Sequence, residues 1–223
     1  MELTVITVDD EDVLAREAAA YVASRATAAV TDHGQFTCAL SGGKTPWAMF
    51  AALADLDPPW EAMRLFQVDE RVAPEGDPDR NITHLRDTLG RVHPSIVPMP
   101  VNDADLDAAA DRYAEVLPPR FDLIHLGIGP DGHTASLVPD DPVLAVTDRL
   151  VAVTQPYQGH RRMTLTYPAL ARTEEILWLV SGADKREALA RLLAGDRSVP
   201  AARVEAARGT VLADVAATGG TPI

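Results

Sequence analysis

Residues 127–137 place an acid and an imidazole on a glycine-rich loop. Their sequence is GIGPDGHTASL, in which Asp131 and His133 stand two residues apart. A histidine with an unperturbed pKa near ~6.5 is partly neutral at physiological pH and can accept a proton there. The apolar run at 121–126 is typical of a buried strand, and α/β proteins place catalytic groups on loops after such strands. We interpret this segment as an active-site loop, with a structural turn as the alternative.

A second candidate site is the loop that follows a predicted strand at 36–40. It consists of Ser41, Gly42, Gly43, Lys44 and Thr45. Small residues expose successive backbone N–H groups, and the dipole of a helix that begins at Pro46 adds positive charge, which together suit a phosphate. The spacing differs from that of a P-loop. A plain tight turn is the alternative.

Further charged residues lie at the ends of predicted elements. They are Asp69, Glu70 and Arg71 after the strand 65–68, Arg161 and Arg162 before the strand 163–166, and Lys185 at the start of the helix 184–193. In one open α/β sheet the strand ends can converge on a shared crevice. Taken singly, each of these charges is also typical of a solvated surface residue, and two of the first three could form a local ion pair.

The order of predicted elements indicates an α/β fold. The predicted strands are 3–8, 36–40, 65–68, 121–126, 150–153, 163–166, 176–180 and 211–215. The predicted helices follow a cap at Asp9 or Asp10, begin at Pro46, and span 81–89, 105–117 and 184–193. Alternating strands and helices favour a mostly parallel sheet with helices on both faces.

Size and charge narrow the class of protein. The 223 residues fit one domain spanning 1–223, and 20 basic against 33 acidic residues give a net charge of −13. This charge argues against nucleic acid or an anionic membrane as partner and leaves room for a small anionic ligand. The single Cys38 cannot form an internal disulfide, and we see no signal peptide and no apolar run long enough to span a membrane. We expect a cytoplasmic protein.

Three kinds of chemistry are disfavoured by spacing. No second histidine or cysteine stands at a metal-ligand spacing from His133. The glycine loop lacks the pattern and the acidic residue that bind a dinucleotide. Ser136 is not in the GxSxG elbow of a serine hydrolase. We therefore expect neither a metal nor a cofactor.

Five segments in this order resemble the glucosamine-6-phosphate isomerase/6-phosphogluconolactonase family. They are LSGGKTP (40–46), VDERVAP (68–74) with Arg80 and Asn81 after it, FDLIHLGIGPDGHTASLVP (121–139), RRMTLTYPAL (161–170) and LVSGADKREAL (179–189). The similarity covers nearly the whole chain. It implies a Rossmann-like α/β fold that needs no metal or nucleotide and takes a sugar phosphate. We expect a monomer or a weak homodimer.

The glycine loop distinguishes the two branches of this family. The deaminase branch continues as DGHIAFNE, whose glutamate assists ring opening, whereas this chain reads DGHTASLV from Asp131 to Val138. The resemblance therefore implies hydrolysis of 6-phospho-D-glucono-1,5-lactone to 6-phospho-D-gluconate, in the oxidative pentose phosphate pathway. The alternatives are a glucosamine-6-phosphate deaminase or sugar-phosphate isomerase, and a non-catalytic sugar-phosphate sensor. The residues 157–159 depart from the family, where many lactonases have more proline.

A lactonase of this kind needs activated water and a stabilised oxyanion. As a hypothesis, His133 takes the proton from water, and Asp131 or Asp69 orients the imidazole. Arg71 and a loop N–H, of Gly43 or Gly132, stabilise the oxyanion. The loop of Ser41, Gly42, Gly43, Lys44 and Thr45, together with Arg162 and Lys185, holds the 6-phosphate.

Overall fold

The structure is a computed structural model that describes residues 2–220. Its main layer is a seven-stranded sheet in which every pair of neighbours is parallel. In spatial order the strands are β1 (Glu2–Val8), β10 (Arg208–Asp214), β9 (Glu175–Val180), β6 (Leu123–Leu126), β2 (Phe36–Leu40), β3 (Met63–Gln67) and β5 (Ser95–Val97). The predicted mostly parallel sheet is confirmed.

Helices cover both faces of this sheet. They are α1 (Glu11–His33), α2 (Lys44–Ala54), α3 (Asn81–Leu89), α4 (Leu106–Val116), α5 (Tyr167–Leu170), α6 (Arg186–Leu193) and α7 (Val215–Thr218). Along β6, Leu123 packs into a core with α1, α2 and α3, whereas Ile124 and Leu126 pack into a second core with α4 and α6. Strands buried on both faces read as continuous apolar runs, which is why the sequence marks them clearly.

A second, antiparallel sheet of three strands was not foreseen. It consists of β4 (Asp69–Arg71), β8 (Arg162–Leu165) and β7 (Val151–Val153), in the order β4-β8-β7. Residues 154–161 join β7 to β8 and contain no helix. Parallel neighbours need a longer crossover, so these two strands pair antiparallel outside the main sheet. The segment 69–71, expected as a loop, forms the strand beside them.

Local signals set several boundaries. Asp10 caps α1 by accepting from the N–H of Val13 at 2.8 Å. The helix predicted at 184–193 begins later, with a 3₁₀ turn at Ala183–Lys185 before α6, and α2 begins at Lys44 rather than Pro46. Within residues 2–220, no helix combines the length and apolar character needed to cross a bilayer.

Candidate active site

The loops after β2, β6 and β9 surround one cavity of about 480 Å³. Its volume lies within the usual range for small-molecule sites. Ten of the predicted site residues line it: Ser41, Gly42, Gly43, Lys44, Thr45, Asp69, Arg71, His133, Arg162 and Lys185. Asp131 stands behind His133 and does not line this cavity. The predicted residues therefore come together at the carboxyl edge of the sheet.

Asp131 holds the imidazole of His133. Its Oδ1 lies 2.6 Å from His133 Nδ1 and also accepts from the His133 backbone N–H at 3.1 Å. Partial burial raises the pKa of the Asp131 carboxyl, but the hydrogen bonds and charge of His133 outweigh burial, and the pKa is lowered overall. The carboxylate favours a proton on Nδ1, which leaves Nε2 as the basic nitrogen.

Gly129 makes room for this arrangement. A Cβ at Gly129 would stand 2.1 Å from Cε1 and Nδ1 of His133, far inside van der Waals contact. The backbone N–H of Gly129 donates to the carbonyl of His133 at 2.8 Å, which closes the turn. A larger residue here would displace the imidazole.

Asp69, the other acid considered for orienting His133, makes different contacts. Its Oδ2 accepts from the Ser136 hydroxyl at 2.6 Å, and Asn81 Nδ2 donates to its Oδ1 at 3.2 Å. Burial raises the pKa of this carboxyl, and the Ser136 hydrogen bond and the charge of Arg162 offset only part of that rise. Asp69 therefore supports the wall of the cavity, and the contact to the imidazole belongs to Asp131.

Arg71 and Arg162 lie side by side on neighbouring strands of the small sheet. They are Cα partners in the antiparallel pairing of β4 with β8. Burial lowers the pKa of the Arg162 guanidinium, although the charge of Asp69 opposes this. Arginine nevertheless stays protonated in proteins. Among the described residues, the buried Arg162 Nε has no hydrogen-bond partner, so it is a donor available to a ligand.

The loop after β2 is shaped as an anion site would be. A Cβ at Gly42 would stand 2.1 Å from Asn81 Oδ1, so the backbone approaches its neighbour closely. Gly43 is the N-cap residue of α2 and provides no side-chain cap. Within residues 2–220 the buried Ser41 Oγ has no hydrogen-bond partner. Backbone and hydroxyl donors are therefore open to a negatively charged ligand.

Both lysines of the candidate site pair with a neighbouring carboxylate. Lys44 Nζ is 3.0 Å from Glu11 Oε2, and its side chain is 88% exposed. Thr45 Oγ1 donates to the other oxygen of Glu11 at 3.1 Å. Lys185 Nζ is 3.2 Å from Asp184 Oδ2. Each lysine carries a local carboxylate, which reduces the positive charge that it offers a ligand.

Gly132 is not a suitable oxyanion donor, which corrects one of the expectations. Its N–H donates to the carbonyl of Gly129 at 2.9 Å within the turn, and the residue does not line the main cavity. Gly43 does line that cavity. Of the two loop donors considered, Gly43 is therefore the better candidate.

Sequence reasoning missed several residues of the site. They are Glu11, Asn81, Ser136 and Gln158. Asn81 and Ser136 lie within motifs that carry the family resemblance, and this was the available signal. Glu11 and Gln158 have no comparable signal in the sequence, because their places depend on how α1 and the loop 154–161 pack.

The sequence of this chain matches a known protein family. The model of the family described as "Glucosamine-6-phosphate isomerases/6-phosphogluconolactonase" matches residues 9–213. The chain belongs to this family. The match includes the loops that line the cavity, and it confirms the resemblance that the five motifs indicated.

Individual members of the family agree with this assignment. A 6-phosphogluconolactonase from a Synechocystis strain is 39% identical over 199 residues, covering 83% of this chain and 82% of the relative. The structure of 6-phosphogluconolactonase from Trypanosoma brucei has a TM-score of 0.89 at 24% identity, covering 99% of each chain. A monomeric glucosamine-6-phosphate deaminase has a TM-score of 0.84 at 20% identity, covering 98% of this chain and 99% of that one. Both branches therefore share the fold.

Proposed function

We propose that this protein hydrolyses 6-phospho-D-glucono-1,5-lactone to 6-phospho-D-gluconate. The observation that carries the proposal is the 2.6 Å contact of Asp131 with His133 at a cavity that Arg71, Arg162 and Lys185 also line. An oriented base beside several cations suits an anionic ester. The 6-phosphogluconolactonase name of the 39% identical relative supports the same reaction.

In this mechanism His133 acts first as a general base and then as a general acid. Its Nε2 takes a proton from water while the water oxygen forms a bond to the lactone carbonyl carbon. The same proton then passes to the ring oxygen as the bond from that oxygen to the carbonyl carbon breaks, which yields the open-chain acid. Asp131 keeps the imidazole in the required tautomer and stabilises its protonated form.

The cationic residues stabilise the oxyanion or bind the 6-phosphate. Arg71, with the backbone N–H of Gly43, stabilises the oxyanion that forms on the carbonyl oxygen. The unpartnered donors of Ser41 and Arg162 and the ammonium of Lys185 hold the 6-phosphate and so fix the ring relative to His133. A single oxyanion donor typically contributes about 10²–10³-fold to kcat.

Deamination is the second candidate reaction in this family. It requires ring opening and proton transfer between carbons, for which the deaminase branch has a glutamate in its glycine loop. Here the loop continues through Ser136 and Leu137 to Val138, and all three are buried. An additional carboxylate is therefore missing from this segment, which favours the lactonase.

The setting of the protein follows from the proposed reaction. We propose a cytoplasmic enzyme of the oxidative pentose phosphate pathway, whose partner is a small sugar phosphate. The chain would act as one domain over 1–223, as a monomer or a weak homodimer. The proposed mechanism draws no group from a second copy, from a metal or from a cofactor.

The direct test is to add the purified protein to freshly generated 6-phosphogluconolactone and to measure the rate of hydrolysis from the release of acid. His133→Ala should lower kcat by about 10²–10⁴-fold, because the oriented base is lost. His93→Ala, at an exposed histidine, is the matched control and should keep the wild-type rate. Ammonia release from glucosamine 6-phosphate, or wild-type kcat in His133→Ala, would contradict the proposal.

A further inference from the structure

Tyr157 contacts three residues of the candidate active site at once. Its hydroxyl donates to Asp131 Oδ2 at 3.3 Å, and its ring lies 5.6 Å from the His133 imidazole at an interplanar angle of 67°. The guanidinium carbon of Arg162 stands 5.1 Å from the centre of the same ring. We propose that Tyr157 is a positioning residue that holds the Asp131–His133 pair and Arg162 in their working arrangement.

The loop around Tyr157 is built to keep the ring in place. Tyr157 and His160 exchange backbone hydrogen bonds of 2.9 and 3.3 Å across a tight turn, in which Gln158 and Gly159 have left-handed φ angles of 50° and 86°. His160 Nε2 also lies 3.0 Å from Asp79 Oδ2, which ties this turn to the segment before α3. The ring is therefore fixed from the loop side as well as from the site.

The hydroxyl contact has an electrostatic consequence. Asp131 uses Oδ1 for His133 and Oδ2 for Tyr157, so the phenol withdraws part of the negative charge that stabilises the protonated imidazole. On its other side Asp131 borders a small cavity with Glu187 and Arg191 of α6, which pair with each other at 2.7 Å. These two side chains carry opposite charges.

Loss of the Tyr157 hydroxyl alone replaces none of the charged groups on the cavity side of His133. These groups are Asp69, Arg71, Arg162 and Lys185, which line the same cavity as His133. Removing the hydroxyl alone therefore isolates its effect on the Asp131–His133 pair. Removing the ring also releases Arg162, whose guanidinium then loses its aromatic neighbour.

Two substitutions separate these effects. Tyr157→Phe should move the acid limb of kcat/KM to higher pH by roughly half a unit while KM stays at the wild-type value. Tyr157→Leu should show the same shift and raise KM roughly two- to five-fold, because Arg162 is less well held. Tyr167→Phe is the matched control, since its hydroxyl donates to the carbonyl of Pro200 instead. It should leave both quantities unchanged.

A second readout does not depend on the reaction. This inference rests on the proposed function, but NMR titration of the His133 ring proton, assigned by its loss in His133→Ala, follows the imidazole without substrate. An upward shift of the titration midpoint in Tyr157→Phe supports the positioning role. An unchanged midpoint or acid limb in Tyr157→Phe, or a wild-type KM in Tyr157→Leu, overturns it. Lack of lactone hydrolysis by the wild-type protein would instead refute the proposed function, while the NMR result still decides on Tyr157.

Discussion

In the proposed mechanism, the contact between Asp131 and His133 decides which ring nitrogen accepts the proton of water. With Nδ1 bound to a carboxylate oxygen at 2.6 Å, Nε2 is left to take up the proton. Asp69 is nearby in the chain's fold, yet its oxygens are occupied by Ser136 and Asn81. The two acids therefore have different roles, and the same substitution, aspartate to asparagine, can test each of them.

Replacing each acid by its amide tests this division. Asp131→Asn should lower kcat by about 10²–10⁴-fold, since the amide no longer favours the required tautomer. Asp69→Asn should change KM more than kcat, because it alters the neighbourhood of Arg162 and not the base. Steady-state kinetics on the lactone measure both. A larger loss of kcat in Asp69→Asn than in Asp131→Asn would reverse the assignment.

The connection between β4 and α3 carries Arg71 and Asn81, which both line the cavity. Glu70 makes this connection: its fully buried carboxylate accepts from the N–H groups of Asn81 at 2.7 Å and Ile82 at 2.9 Å. Both N–H groups belong to the first turn of α3, where they have no carbonyl partner within the helix, and the helix dipole favours a negative charge there. The same carboxylate lies 3.2 Å from Nε of the buried Arg80.

Glu70→Gln should therefore destabilise the protein by about 3–5 kcal/mol, because the buried Arg80 loses its counter-charge. Urea unfolding followed by circular dichroism measures this free energy. Glu75→Gln is the matched control: Glu75 is 82% exposed and pairs with Arg86 at 3.4 Å. Its effect should stay below about 1 kcal/mol. Equal stability of the two variants would show that the buried pair does not hold β4 to α3.

An element can be predicted from the sequence when nearby residues determine it, and not when it depends on a partner far along the chain. The strand Phe36–Leu40 and the helix Asn81–Leu89 have the predicted bounds, because apolar periodicity and flanking residues act locally. The sequence does not predict a strand at 69–71. Its partner in β8 lies far along the chain, and three charged residues are typical of a surface.

The candidate site shows the same division. That its residues meet could be predicted, since loops after parallel strands share one edge of the sheet. Which acid touches His133 could not be predicted from the residues alone, and neither could the pairing of Ser136 with Asp69 across 67 positions. Such contacts depend on side-chain orientation after packing, which no local pattern records.

Within residues 2–220, one buried imidazole takes no part in the proposed reaction. His125 lies on the central strand β6, fully buried, with the ring of Phe50 at 6.3 Å. Its Nδ1 accepts from the N–H of Ser41 at 3.3 Å, so it also supports the loop of the candidate anion site. Burial lowers the pKa of His125 to about 3.

This depressed pKa predicts how the stability of the fold varies with pH. The unfolded chain protonates His125 near ~6.5, whereas the folded chain does so only near 3. Between these values the unfolded state binds more protons, so the free energy of unfolding falls as pH falls, by up to about 1.4 kcal/mol per pH unit. Burial raises the pKa of Asp69, which acts in the opposite direction on acidification.

Comparing the wild type with His125→Leu isolates the contribution of the histidine, because Asp69 is present in both proteins. Urea unfolding at pH values between about 6.5 and 4 should give a shallower loss of stability in His125→Leu, by up to about 1.4 kcal/mol per unit. His93→Asn, at an exposed histidine, should keep the wild-type slope. The slopes are compared rather than the absolute stabilities, since leucine also removes the acceptor for Ser41. Parallel slopes in the wild type and His125→Leu would mean that protonation of His125 does not destabilise the fold.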